Sequence, residues 1–336
     1  MTPLRRFTRD SLGALPDDPV LWLRALGGPA AIHVDGRDRT RARVVVTLLH
    51  GNEPSGLRAI HAWLRQRTTP AVDGWLIVAN VEAALAAPGF RHRMLPGRRD
   101  LNRCFLGPFD DRDGALARAI LDLVADARPE AVIDLHNNTG HNPPYGVGLD
   151  TDSGTRHLVA LFADRLVHSR LRLGALLEAF GPPPCATIEV GRSGDPAADA
   201  VALSGLRRFL ERDAVLTSGG EPLLQVLEMP MRAELAAGVR LAVADAPAGG
   251  VELTLRADLD RHNFERVAAG TPIGWCRGEV CPLELRDEDG SDRSADYFAL
   301  GGGELRTKRP LVPIMITTDP AIAAADCLFY VVRERD

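Results

Sequence analysis

The sequence contains a single lysine, Lys308, so nearly all of its positive charge is arginine. Together with 32 glycines, 24 prolines and abundant alanine, this skew points to compositional bias, and an isolated arginine carries little functional weight. No basic stripe stands out and the formal net charge is −5, which argues against nucleic acid as a partner. No apolar run approaches the roughly 20 residues needed to span a bilayer, so no membrane association is expected. The N-terminus, MTPLRRFTRD, is charged and leads into no apolar signal core. The five cysteines, Cys104, Cys185, Cys276, Cys281 and Cys327, are odd in number and scattered. Without a secretory signal, reduced thiols and a cytoplasmic location are the expectation. Cys276 and Cys281 lie closest, but they form no CxxC and no second pair follows. A GxSxG elbow is missing, as is a paired Cys/His signature.

What is present is an ordinary globular composition, 45% hydrophobic and 25% charged, over a length that calls for two domains or one large one. Residues 1–40 read as irregular, with a short helical candidate around Val20–Leu26. From Arg43 strands and helices alternate. RVVVTLL is followed by an amphipathic LRAIHAWLRQR, then strand WLIVAN (75–80), then a Gly-, Pro- and Arg-rich loop from Ala87 to Asp110. Helix 114–127 leads into strand AVIDLH, a helix candidate spans 155–167, ATIEV is strand-like, and 198–212 is again helical. Such alternation predicts a largely parallel α/β sheet. After about Val215 short strands separated by Gly, Pro and Asp turns predict a mainly β domain.

Four polar groups interrupt these apolar runs. VVVTLL stops at His50, Gly51, Asn52 and Glu53, where a buried strand would end, and pockets in open α/β sheets form at such strand ends. HxxE alone is weak, being more often surface polarity, but the strand-terminal position strengthens it. AVIDLH ends in His136, with Asp134 two residues back on the same strand face. A strand-end histidine can bind metal through one ring nitrogen while a carboxylate orients the other. A hydrogen-bonded core histidine is the competing reading. Together His50, Glu53 and His136 make a familiar catalytic zinc composition, with a fourth position for water. Glu189, inside ATIEVG, is expensive to bury unless paired or functional. It is a candidate acid/base, with a salt bridge to an arginine as its rival. Asp100–Leu101–Asn102–Arg103 reads as a polar loop whose arginine fork could clamp a carboxylate.

HGNE with Gly56, DLNR, DLHNNTG and IEVG resemble, in order and approximate spacing, the motifs of the succinylglutamate desuccinylase/aspartoacylase family, within the zinc-carboxypeptidase-like superfamily. The resemblance covers roughly residues 43–212, and HNFERVAAGTPIGW (262–275) resembles a segment of that family's C-terminal β domain. It implies an α/β fold with a mixed, largely parallel sheet flanked by helices, zinc-carboxypeptidase-like, plus a C-terminal mainly β domain. The implied division is 1–42, an N-terminal extension packed on the catalytic domain; 43–214, the zinc-dependent catalytic domain; and 215–336, the β domain. It further implies one Zn²⁺ per chain held by His50, Glu53 and His136, with Asp134 behind a histidine and Glu189 as general acid/base. Asn102 and Arg103 then bind a substrate carboxylate, and Arg93 polarises the scissile carbonyl.

The implied activity is hydrolysis of the amide of an N-acylated amino acid or related small carboxylate by metal-activated water. A zinc peptidase or esterase on the same scaffold, or a non-catalytic zinc-binding protein, are the alternatives. The implied partner is a carboxylate-bearing small molecule, and homo-oligomerisation is left open. LLEAFGPPPCAT lacks the Arg and Tyr that aspartoacylases carry there, and ITTDPAIAAAD supplies no counterpart to their C-terminal tyrosine. N-acetylaspartate is therefore not the implied substrate, and neither acyl group nor amino-acid half is specified.

Overall fold

The computed structural model describes residues 4–216, 220–320, 323 and 328–334. They divide into two units. The first takes the described residues of Met1–Asn137, Pro144–Val167 and Arg172–Gln225. The second takes those of Asn138–Pro143, His168–Leu171 and Val226–Asp336.

In the first unit the strands are β1 (Arg5–Thr8), β2 (Ala30–Val34), β3 (Asp38–Thr47), β4 (Val72–Val78), β5 (Ala131–Asn138), β6 (Tyr145–Gly148), β7 (Arg165–His168) and β8 (Cys185–Arg192). They lie side by side in the order β1-β2-β4-β3-β5-β8-β6-β7. β3 runs parallel to both β4 and β5, whereas β2–β4 and β6–β8 are antiparallel, so the sheet is mixed. The helices are α1 (Pro19–Leu26), α2 (Ser55–Arg65), α3 (Val81–Leu85), α4 (Arg112–Ala127), α5 (Ser153–Ala160) and α6 (Pro196–Glu211).

The unbroken apolar strands are explained by burial on both faces. Val45, Ile133, Leu135 and Ile188 share one core with Trp22, Leu57, Trp63, Leu206 and Phe209 from α1, α2 and α6. Val44, Val46 and Val132, one step out of phase, join a second core with Leu116, Ile120, Leu123 and Val124 of α4. The two-residue period of a strand thus feeds two layers of helices, giving a three-layer arrangement. Aspartates start α1, α4, α5 and α6: the Asp111 carboxylate accepts from Gly114 N at 2.7 Å, and Asp195, before Pro196, accepts from Ala197 N at 2.8 Å.

Arg43 on β3 is fully buried. Its Nε lies 2.5 Å from Glu130 Oε1. Nη1 donates to the carbonyls of Phe209 and Arg212 at 2.6 and 2.7 Å, and Nη2 to that of Asp213 at 3.2 Å. A cation at the C-terminal end of α6 satisfies carbonyls the helix itself leaves unpaired and complements its dipole.

The second unit holds β9 (Gln225–Leu235), β10 (Leu241–Ala244), β11 (Leu253–Arg256), β12 (Pro272–Cys276), β13 (Leu283–Arg286), β14 (Phe298–Gly301), β15 (Glu304–Thr307), β16 (Val312–Ile314) and β17 (Phe329–Glu334), and the short helix α7 (Ser294–Tyr297). β10-β11-β12-β15-β14 form a five-stranded sheet. β9 pairs antiparallel with β13 and with β17, which also carries β16. Met231, Leu253, Leu255, Ile273, Leu285, Leu305 and Phe329 share its core.

Several elements differ from the sequence-based expectations. The region 1–40 contains two strands, β1 and β2, paired in parallel; their runs are too short to stand out from loop. The helix candidate 155–167 is helix only to Ala160, and Arg165–His168 is a strand. The apolar spacing there serves both elements, and sheet pairing decides the second. β6 has glycine at two of its four positions, which conceals it from pattern reading. Cys104, Cys185, Cys276 and Cys281 are free, while Cys327 lies outside the described residues, as do 321–322 and 324–326 of ITTDPAIAAAD. Among the described residues no helix is long and apolar enough to cross a membrane.

Candidate metal centre

β3 ends at Thr47, and Leu48 turns the chain with φ +55°, a left-handed conformation uncommon for a non-glycine residue. The turn His50–Pro54 follows, and α2 begins at Ser55. Two glycines permit this close assembly. A Cβ on Gly51 would lie 2.6 Å from the Ala83 backbone, and one on Gly56 would lie 2.1 Å from Thr47 Oγ1. His136 arrives on the neighbouring strand β5 and Glu189 on β8 beyond it. All of these side chains are buried.

The ligand atoms of His50, Glu53 and His136 lie within 4.8 Å of one another. His50 Nδ1 is 2.8 Å from Glu53 Oε1, and His136 Nδ1 is 2.7 Å from Glu53 Oε2. The two rings meet edge to face, centroids 4.9 Å apart. Their outer nitrogens face other carboxylates: His136 Nε2 is 2.6 Å from Asp134 Oδ2, and His50 Nε2 is 3.1 Å from Asp100 Oδ1. Both imidazoles are thereby oriented with Nδ1 inward, an arrangement suited to holding a cation between two nitrogens and a carboxylate. Asp134 Oδ1 is buried with no hydrogen-bond partner among the described residues. Two imidazole nitrogens and a carboxylate converging in a buried site fit a divalent cation as a donor set. By contrast, the cluster of His33, Asp35 and Asp73 has its carboxylates engaged by Arg39 and by Gly36 N.

Electrostatics follow from this crowding. Burial raises the Glu53 carboxyl, but the charges of His50 and His136 outweigh it and hold the group below the usual carboxylate range. Burial opposes a charge on His136, yet Asp134 and Glu53 overcome it and raise the imidazole well above its usual value. The Glu189 carboxyl goes the other way. Burial, opposed by His136 and reinforced by Glu53, pushes it up to about 7.

The DLNR segment is placed beside these groups. Asp100 accepts a two-pronged contact from Arg93, Nε at 3.0 Å and Nη2 at 2.8 Å. Burial raises Asp100, but His50 and then Arg93 bring it well below the usual range. Asn102 Oδ1 accepts from Leu176 N at 2.9 Å, and its Nδ2 lies 3.5 Å from His136 Nε2. Arg103 Nη1 donates to the Asn102 carbonyl at 2.9 Å. Of the other loop arginines, Arg98 is paired with Asp113 and Arg99 with Asp111. Sequence reading named Asp100 without giving it a task. It also missed Asn137, whose backbone N–H donates to Glu53 Oε2 at 3.2 Å; the one signal was its place directly after His136.

Residues 40–166 match the family model described as the succinylglutamate desuccinylase/aspartoacylase catalytic domain. Among curated protein sequences none matches the chain. Solved structures of similar fold include a succinylglutamate desuccinylase from Vibrio parahaemolyticus, 13% identical, covering 96% of each chain with a TM-score of 0.62. A succinylglutamate desuccinylase/aspartoacylase from Rhodobacter sphaeroides is 16% identical over 91% of this chain and 88% of its own, TM-score 0.56. Murine aminoacylase 3 is 18% identical over 89% of this chain and 97% of its own, TM-score 0.53. In motifs, in the family model over residues 40–166 and in fold, the chain resembles the succinylglutamate desuccinylase/aspartoacylase family.

Proposed function

We propose that this protein is a zinc-dependent deacylase, hydrolysing the amide bond of an N-acylated amino acid or related small carboxylate. One observation carries the reading: two inward-facing Nδ1 atoms and the Glu53 carboxylate converge beside a second buried carboxyl, Glu189, raised to about 7. His50, Glu53 and His136 would hold one Zn²⁺, which when bound supplies a Lewis acid that acidifies water and polarises the acyl oxygen.

The remaining work falls to the chain. Glu189 takes a proton from the attacking water as its oxygen bonds to the acyl carbon. It returns that proton to the nitrogen as the C–N bond breaks, leaving an amine and a carboxylic acid, which then gives up its remaining proton to the amine. A carboxyl near neutrality suits both transfers. Arg103, with Asn102, binds the substrate carboxylate through the guanidinium fork. Arg93, whose Nε and Nη2 are held by Asp100, is the candidate for the scissile carbonyl. The family model over 40–166 supports this reaction class, and several similar folds carry deacylase names.

The test is metal analysis of the purified protein together with turnover of a panel of N-acyl amino acids, dipeptides and esters, before and after chelation. One zinc per chain with chelator-sensitive amide hydrolysis is the expected result. Full activity without metal overturns the mechanism; turnover confined to dipeptides or to esters makes it a peptidase or an esterase; zinc with no turnover makes it a binding protein.

A further inference from the structure

A chain of hydrogen bonds, buried as far as Ser55, leads from Glu53 to the half-buried Asp199 on α6. The Asn137 backbone N–H donates to Glu53 Oε2 at 3.2 Å. The Asn137 side chain reaches the far side of Pro54. Its Oδ1 accepts from Ser55 N at 3.0 Å, and its Nδ2 donates to Ser55 Oγ at 2.9 Å and to the Gly191 carbonyl at 3.1 Å. Ser55 Oγ donates onward to Asp199 Oδ1 at 2.6 Å, and Arg58 Nη1 holds Asp199 Oδ2 at 2.8 Å. Glu53, Pro54 and Ser55 are thus bracketed by one asparagine, and the bracket is fastened to α6.

We infer that Asp199, acting through Ser55 and Asn137, is a positioning residue that fixes the Glu53 carboxylate for metal binding. The direction of each bond is forced. A carboxylate can only accept, so the single hydroxyl proton of Ser55 points at Asp199 and its oxygen accepts from Asn137. The asparagine amide then has one orientation, with its oxygen on Ser55 N. Ser55 N and the Gly191 carbonyl hold the asparagine in that orientation. Without Asp199 the hydroxyl loses its acceptor and can turn to compete with Ser55 N for the amide oxygen, so the bracket around Glu53, Pro54 and Ser55 loosens at its α6 end. Networks of this kind are worth more than their separate links. A second tie, Ser193 Oγ to the Asn52 carbonyl at 2.7 Å, keeps the same turn against the residues that lead into α6.

The inference rests on the zinc reading and is tested by zinc affinity in chelator competition, with the melting temperature of the metal-free protein as control. Ser55→Ala and Asp199→Ala should each weaken zinc binding about tenfold or more, as outer partners of ligands do, and the double variant should be no weaker than either. Asp199→Asn, which keeps an acceptor for the hydroxyl, should restore most of the affinity, and Arg58→Ala should change it little. Melting temperatures of the metal-free variants should stay close to wild type. Wild-type affinity in both alanine variants, losses that add in the double variant, or an affinity loss matched by a collapse in metal-free melting temperature overturns the inference. A wild-type protein that binds no zinc overturns the functional reading and this inference with it; zinc binding that ignores Ser55 and Asp199 overturns this inference alone.

Discussion

His136 Nε2 sits 2.6 Å from Asp134 Oδ2, two residues back on the same strand and fully buried. That pair commits the imidazole to presenting Nδ1 toward Glu53. Replacing Asp134 by Asn should weaken zinc binding by about 10–100-fold, measured by competition with a chelator of known affinity. Unchanged affinity would mean that strand geometry alone orients the ring.

Glu189 gives a prediction with a pH signature. Glu189→Gln should lower kcat by about 10²–10⁴-fold while zinc stoichiometry stays at one. In metal-free protein it should also raise thermal stability, but only in part of the pH range. The folded-state carboxyl is raised from 4.5 to about 7. Below the unfolded value both states are protonated and the residue has no effect. As pH rises the unfolded chain ionises first, so the native state is penalised, fully so above about 7. The melting-temperature gain of the glutamine variant should therefore be present at pH 8 and vanish near pH 4; a gain independent of pH would assign it to packing.

Arg103 is proposed above to bind the substrate carboxylate, and its replacement separates binding from chemistry. Arg103→Lys keeps the charge and loses the fork. KM for the preferred N-acyl amino acid should rise with kcat little changed. An equal fall in kcat and kcat/KM would place Arg103 at the reacting carbonyl instead.

Arg43 ties β3 to Glu130 and to the end of α6. Arg43→Met fills the volume but leaves Glu130 and three carbonyls at the end of α6 without their donor. Urea denaturation should show a loss of about 3–5 kcal/mol. A loss under 1 kcal/mol would mean that water replaces the guanidinium at no cost.

The thiols offer a simpler check. Burial pushes Cys104 up to about 11 and Cys185 higher still, and neither sits by a cation strong enough to reverse it. Peptide mapping after brief alkylation at pH 7.5 should find both unmodified in the native protein and both labelled in urea. Rapid native labelling of the buried Cys104 would mean that its segment opens locally.

The apolar runs leading to His50, His136 and Glu189 were legible because a charged group met by a buried run is costly unless it has a task, although β5 continues past His136 to Asn138 and β8 past Glu189 to Arg192. Asp134 was legible by the two-residue period of a strand. Asp100 was not, because an aspartate ahead of a cationic segment looks like solvation until the fold sets it against His50. Asp199 was hidden differently. An acid in the first turn of a helix is already explained by the helix dipole, so nothing in the sequence sets it apart. β7 was masked by residues that fit a helix face and a strand equally well, and only its neighbours in the sheet decide between them.

β8 lies between β5 and β6, although both of those precede it in the chain. The strand carrying Glu189 must therefore enter a gap that earlier-made strands cannot have closed. A nascent chain that has emerged as far as His136 and β6 holds all three candidate ligands of the metal, yet not the proton carrier. On the zinc reading proposed above, the ligand set and the candidate acid/base therefore reach the site on separate lengths of chain, divided by the arrival of one strand.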